Sequence, residues 1–105
     1  MMPWNVTNSV EVVSTIETIV DDLYEEAKRF PLTKRELERL SGNDLLTLLQ
    51  LCADYAGRLD VLRTLCKRIK CSPQLLLNIT NLYSFFNIKR IDVCGEIMRR
   101  WFGIR

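Results

Sequence analysis

The residues best placed to do chemistry are carboxylates. Asp21 and Glu25, and Asp22 and Glu26, stand four apart, which puts each pair on one side of a helical turn. Carboxylate pairs can activate water or hold a metal when several helices of a core contribute them. Here they share one segment with Glu17, and that segment's other face is an apolar stripe. The pattern therefore predicts a solvated acidic face rather than a catalytic one. Like charges at this spacing oppose the helix by about 0.2–0.5 kcal/mol per pair, so clustering Glu17, Asp21, Asp22 and Glu25 favours a basic partner.

The rest of the inventory supports little catalysis. There is no histidine, which removes Ser-His and Cys-His nucleophile systems. Cys52, Cys66, Cys71 and Cys94 form no C-x-x-C pair, and a zinc site would need all four thiolates on irregular spacings. The expectation is four reduced, mostly buried thiols, with no metal, no cofactor and no enzymatic activity.

Basic residues raise a different chemistry. Arg63, Lys67 and Lys70 line up at spacings of four and three with Arg68 beside them, and Arg99, Arg100 and Arg105 flank Trp101 and Phe102. Phosphate binding uses such rows, with aromatics near them for stacking. The net charge is only +2, and the acidic segment would repel a polyanion, so nucleic-acid binding is the alternative reading. The terminal Arg-Arg-Trp-Phe follows Asp92 and Glu96 closely, which argues for a core helix with a basic end rather than a membrane contact.

The charges are also segregated along the chain. Residues 1–30 carry six acids against two bases, and the remainder seven against thirteen. A small domain with opposite fields at its two ends can join copies of itself, or a relative, head to tail.

These residues must be positioned by helices. Asn8 with Glu11 reads as a capping box, and Val13, Ile16, Val20, Leu23, Ala27 and Phe30 then recur at spacings of three and four over 9–30. Pro31 ends that helix. Thr33 with Glu36 forms a second capping box, stapled by Leu32 and Leu37, for a short helix stopping at Ser41-Gly42. Asn43 or Asp44 opens a leucine-rich third helix, expected to be the most buried, which Gly57 breaks. A fourth over 59–70 turns Leu59, Leu62, Cys66 and Ile69 inward. Ser72-Pro73 starts a fifth, running through Leu76, Ile79, Leu82 and Tyr83 to Phe86. A sixth, near 89–102, offers Ile91, Cys94, Ile97, Met98 and Trp101 to the core. No period-two alternation or hairpin dipeptide appears.

The expected fold is all-α, a compact antiparallel bundle of about six short helices forming one domain over 1–105. Length and composition suit a single globular domain. With no apolar span near the ~20 residues a bilayer needs and no basic leader, a cytoplasmic or nuclear location is expected.

Six helices with one short member and a segregated surface resemble the death-fold superfamily. The nearest similarity is to death effector domains, especially the second such domain of initiator caspases. It is carried by Gly57-Arg58-Leu59-Asp60-Val61-Leu62-Arg63-Thr64-Leu65-Cys66-Lys67-Arg68-Ile69, which resembles that family's fifth helix. Lys34-Arg35-Glu36-Leu37 and Asp44-Leu45-Leu46 fall where its third and fourth would lie. The family's Arg-x-Asp-Leu element, tied to an acid on its second helix, is approached by Arg90-Ile91-Asp92-Val93. One register aligns 20–86 and leaves 89–105 as an extra helix; another makes 91–102 the sixth helix and 9–30 the first. The family's apolar patch is replaced by the charged run Tyr24-Glu25-Glu26-Ala27-Lys28-Arg29-Phe30. The resemblance implies homotypic assembly within a cell-death or innate-signalling complex, with Arg90 and Asp92 among the contact residues. By charge complementarity, Glu17, Asp21, Asp22 and Glu25 of one copy would face Arg63, Lys67 and Lys70 of the next, with Trp4 or Phe102 as aromatic anchors.

Overall fold

A computed structural model describes residues 9–31 and 33–103. All regular structure among them is helical, in four helices: α1 (Ser9–Lys28), α2 (Lys34–Glu38), α3 (Gly42–Arg68) and α4 (Pro73–Phe102). The expectation of about six short helices is corrected at two places. Gly57 does not break α3; it lies exposed in mid-helix with open space around it. A glycine there costs about 1 kcal/mol relative to alanine, which the packing of Cys52, Ala56, Leu59 and Leu62 on either side outweighs. The fifth and sixth segments are likewise one helix, because no glycine or proline interrupts 87–89.

Several termini follow their sequence signals. Thr33 caps α2, accepting from the Glu36 N–H at 3.2 Å while its hydroxyl donates to the Glu36 carboxylate at 3.1 Å. Leu37 is buried as expected, whereas Asn8 and the staple partner Leu32 lie outside the described residues. Ser72 caps α4 by accepting from the Leu75 N–H at 3.2 Å, with Pro73 following. The α3 cap is Ser41, accepting from the Asp44 N–H at 3.1 Å, so that helix starts one to two residues before Asn43 or Asp44. Gly42 allows the Trp101 ring to approach its backbone, since a Cβ there would stand 2.9 Å from the indole.

The long helices α3 and α4 form an antiparallel hairpin: Cys66 shares a core cluster with Leu75 at one end, and Leu45 one with Val93 at the other. Spacings of three and four run through Leu45, Leu48, Cys52, Ala56, Leu59, Leu62 and Cys66, and through Leu75, Ile79, Leu82, Phe86, Lys89 and Val93. Such spacing keeps a seam between two helices crossing at a shallow angle. Toward the turn, α1 lays Ile16, Val20, Leu23 and Ala27 onto the hairpin, the face expected for it, and Phe30 joins them from the turn that follows the helix, which ends at Lys28 rather than at 30. Phe30, Tyr55 and Phe86 meet there edge to face, with centroids 5.1–6.2 Å apart. At the opposite end Leu37 and Leu40 of the α2 region cover Leu45, Val93 and Ile97.

The molecule is elongated, 54 × 25 × 19 Å, with a radius of gyration of 16.6 Å, against about 13 Å for a compact chain of this length. The leucine-rich start of α3 is not the most buried element, since Leu46 is exposed and Leu48, Leu49 and Leu51 are half-buried. In the last turns of α4, Ile91, Cys94 and Trp101 are exposed, contrary to expectation, and Val93 and Glu96 turn inward instead. The α4 stripe keeps its phase past Phe86, so Lys89, Val93, Glu96 and Arg100 inherit the seam positions.

Candidate functional site

The charged residues singled out from the sequence divide into those the fold uses and those it leaves to solvent. Glu17, Asp21, Asp22 and Glu25 are all exposed on α1. Glu25 pairs with Lys28 at 3.1 Å, and Lys28 also lies over the Tyr24 ring, 4.9 Å from its centroid. Glu17, Asp21 and Asp22 have no ion-pair partner among the described residues. Asp21, Tyr24 and Lys28 form one wall of a groove of about 620 Å³ whose other wall is Asn78, Asn81 and Phe85 of α4.

The basic row is only partly available. Arg63 is half-buried, donates to the Asp60 carboxylate at 2.6 Å and lies 4.7 Å from the Tyr83 ring centroid. It serves the α3–α4 seam rather than an open face. Lys67, Arg68 and Lys70 are exposed without an ion pair among the described residues. Lys70 has left the helix: its φ of 56° places it in the left-handed turn that ends α3.

The pair suggested by the resemblance stays apart. Arg90 donates to the Asn87 side-chain oxygen at 2.9 and 3.2 Å, and Asp92 lies 3.9 Å from the Lys89 ammonium. Both contacts are within α4, and neither ties the segment to an acid of another helix. Phe102 is 66% exposed, as an anchoring aromatic must be, while Trp4 and Arg105 lie outside the described residues.

The best-organised polar constellation is one the sequence reading missed. Glu96 is only 4% exposed. Its carboxylate accepts from Arg99 at 3.1 and 2.5 Å and from Arg100 at 2.7 Å. Arg100 in turn donates to the carbonyls of Leu40 at 2.6 Å, Glu38 at 2.8 Å and Leu37 at 3.1 Å. Those carbonyls end α2, which has few residues to satisfy them itself. Arg100 thus latches α2 to α4, and Glu96 fixes the guanidinium that does so. Arg99 and Arg100 do not stand free as a phosphate-binding cluster: Arg99 bonds Glu96 through two of its nitrogens, and Arg100 divides its donors between Glu96 and the α2 backbone. The signal was present, since extending the α4 stripe by its own spacing lands on Glu96 and Arg100.

The shifted titratable groups indicate what chemistry is at hand. Hydrogen bonds from Arg99, and then from Arg100, hold the Glu96 carboxyl at about 2, against a burial effect of opposite sign. Burial pushes the Cys52 thiol up to about 11, opposed by Lys89 and Arg90, and the Cys66 thiol up to about 12. A carboxylate ionised throughout the neutral range and thiols kept protonated are the reverse of a poised base or an activated nucleophile. No three His, Cys, Asp or Glu residues gather around a metal-sized site among the described residues. None of the described helices is long and apolar enough to cross a membrane.

No family model matches the chain, and no curated protein or solved structure matches it either.

Proposed function

We propose that this chain is a non-enzymatic protein-interaction module whose acidic α1 face docks on the basic end of a second copy or of a related domain. The observation that carries this reading is the opposition of two unpaired sets: Glu17, Asp21 and Asp22 on α1, and Lys67, Arg68 and Lys70 at the end of α3. Charges placed so, without internal partners, set orientation and association rate more than affinity. Large exposed apolar residues on both long helices, including Val61, Leu77, Ile88 and Phe102, supply contact area beside them. The resemblance of 57–69 to death effector domains attaches a role to this contact, assembly within a cell-death or innate-signalling complex. That resemblance now rests on sequence in the C-terminal half of one continuous helix, ending at its cap Ile69, rather than on a count of six.

Nucleic-acid binding through the basic residues is the second reading. The engagement of Arg63, Arg99 and Arg100 by carboxylates leaves it three exposed cations in the basic row, which favours a protein partner.

Light scattering on a sizing column tests the reading, using protein freed of nucleic acid at low and high salt. Concentration-dependent oligomers that dissolve with salt are expected. Asp21→Lys/Asp22→Lys and Lys67→Glu/Arg68→Glu variants should each stay monomeric with unchanged helicity, and should pair when mixed. Variants that assemble like the parent refute the proposed faces.

A further inference from the structure

Two of the four cysteines meet at the corner where α3 turns into α4. Ile69 caps α3, Lys70 takes the left-handed conformation, and the Cys71 N–H donates to the Cys66 carbonyl at 3.0 Å. This outer bond defines a Schellman turn, in which the side chains of the bonded residues pack together. Here both are cysteines. With that N···O distance, standard backbone bond lengths keep the two Cα atoms within about 7 Å, and disulfides close over about 4.4–6.8 Å. Cys66 is 1% exposed in the core, and Cys71 packs half-buried against the same cluster. Cys71 is thus the more accessible member of the pair and Cys66 the buried one.

We propose that Cys66 and Cys71 are a redox-active dithiol that a peroxide oxidises to a disulfide across the α3–α4 corner. The Cys71 sulfur attacks the O–O bond of the peroxide; a sulfenic acid forms, and the displaced hydroxide takes the thiol proton and leaves as water. The Cys66 sulfur then displaces the sulfenic hydroxyl, which leaves as a second water with the Cys66 proton. Two thiols and one hydrogen peroxide give one disulfide and two waters. Burial keeps the Cys66 thiol protonated, so the first attack on the peroxide falls to Cys71, and Cys66 reacts only with the sulfenic acid that the turn holds beside it. Cys52 is fully buried and Cys94 exposed on α4. The closed bond would fix the turn that carries Lys67, Arg68 and Lys70, and so would act on the basic end of the molecule.

The test uses the full chain with Cys94→Ser, which removes the exposed thiol and its intermolecular exchange. The native protein is treated with hydrogen peroxide, alkylated in denaturant and digested with trypsin. Trypsin cuts after Lys67, Arg68 and Lys70, all between the two cysteines, so a disulfide joins peptides 64–67 and 71–89. The expected product is that linked pair, lighter by two hydrogens, released by dithiothreitol and absent from the Cys71→Ser variant. Recovery of both cysteines alkylated, or of over-oxidised Cys71 beside alkylated Cys66, overturns the proposal. A second measurement equilibrates the protein with glutathione buffers, folded and in guanidinium. If the fold assembles the pair, the disulfide forms under more reducing conditions when folded; equal or weaker oxidation of the folded chain overturns it.

Discussion

Replacing Glu96 by Gln tests whether one buried carboxylate holds the α2 end of the molecule. Glutamine keeps the shape and mimics the protonated acid, so the substitution isolates the charge. The Glu96 carboxyl sits at about 2, against 4.5 for the free group. Taken undiluted, at 1.36 kcal/mol per unit, that difference is about 3 kcal/mol. The Arg99 side chain is 43% exposed, so solvent screens part of the interaction, and about 2 kcal/mol is the expected loss at pH 7. The sign follows from the depressed value. The stabilisation is present above about 4.5, where the unfolded chain is already ionised, and is lost as pH falls through the folded value of about 2. Urea unfolding followed by far-UV circular dichroism, at pH 7 and stepwise down to 2, measures this directly. Parent and Glu96→Gln curves should lie apart at pH 7 and converge in the acid. Coincident curves at pH 7, or a gap that persists unchanged to pH 2, would refute the assignment of the stabilisation to this charge.

Three further outcomes follow from single positions. Lys70→Gly relieves a side chain held at φ 56° and should stabilise the fold by about 1 kcal/mol, read as a raised thermal midpoint. Gly57→Ala places a methyl group in open space on an exposed helix interior and should also add about 1 kcal/mol; a loss there would mean the helix is not continuous through 57. Phe86→Ala empties the centre of the aromatic cluster, where Phe86 is 0% exposed. It should cost about 3–5 kcal/mol, enough to leave much of the chain unfolded in a denaturant titration.

The local grammar of the chain was legible where one side chain decides the matter. Thr33, Ser72 and Pro73 each satisfy or remove an orphan donor of the helix they start, so type and position together specify the event. The stripe of α1 was equally readable, because no competing face is apolar. The joins were not readable. Gly57 weakens helix locally and Lys89 interrupts the apolar stripe after Phe86, but whether a helix breaks depends on what the opposite helix offers along its length, and sequence spacing does not contain that. The inward face of 89–102 was misread for a related reason. Ile91, Cys94 and Trp101 form an apolar set, yet the phase fixed by Leu75, Ile79, Leu82 and Phe86 carries Glu96 and Arg100 onto the seam. Their burial becomes tolerable only once the α2 carbonyls arrive to complete the hydrogen bonds, a contact spanning 60–63 positions. The charged faces were half legible: exposure of the α1 acids followed from the stripe, while the capture of Arg63 by Asp60 and Tyr83 did not.

The two packed clusters along the α3–α4 hairpin imply that the molecule does not open all at once. The turn end is held by three helices and interlocked rings, and the α2 end by a few leucines and one ionic latch. Local opening free energies vary in this way across folded chains. Amide hydrogens of α2 and of the first turns of α3 should therefore exchange through a small opening that leaves the turn end intact. Acid enlarges that opening selectively, since protonating Glu96 loosens only one end. The hairpin is in this sense hinged, a durable three-helix body with a detachable clasp.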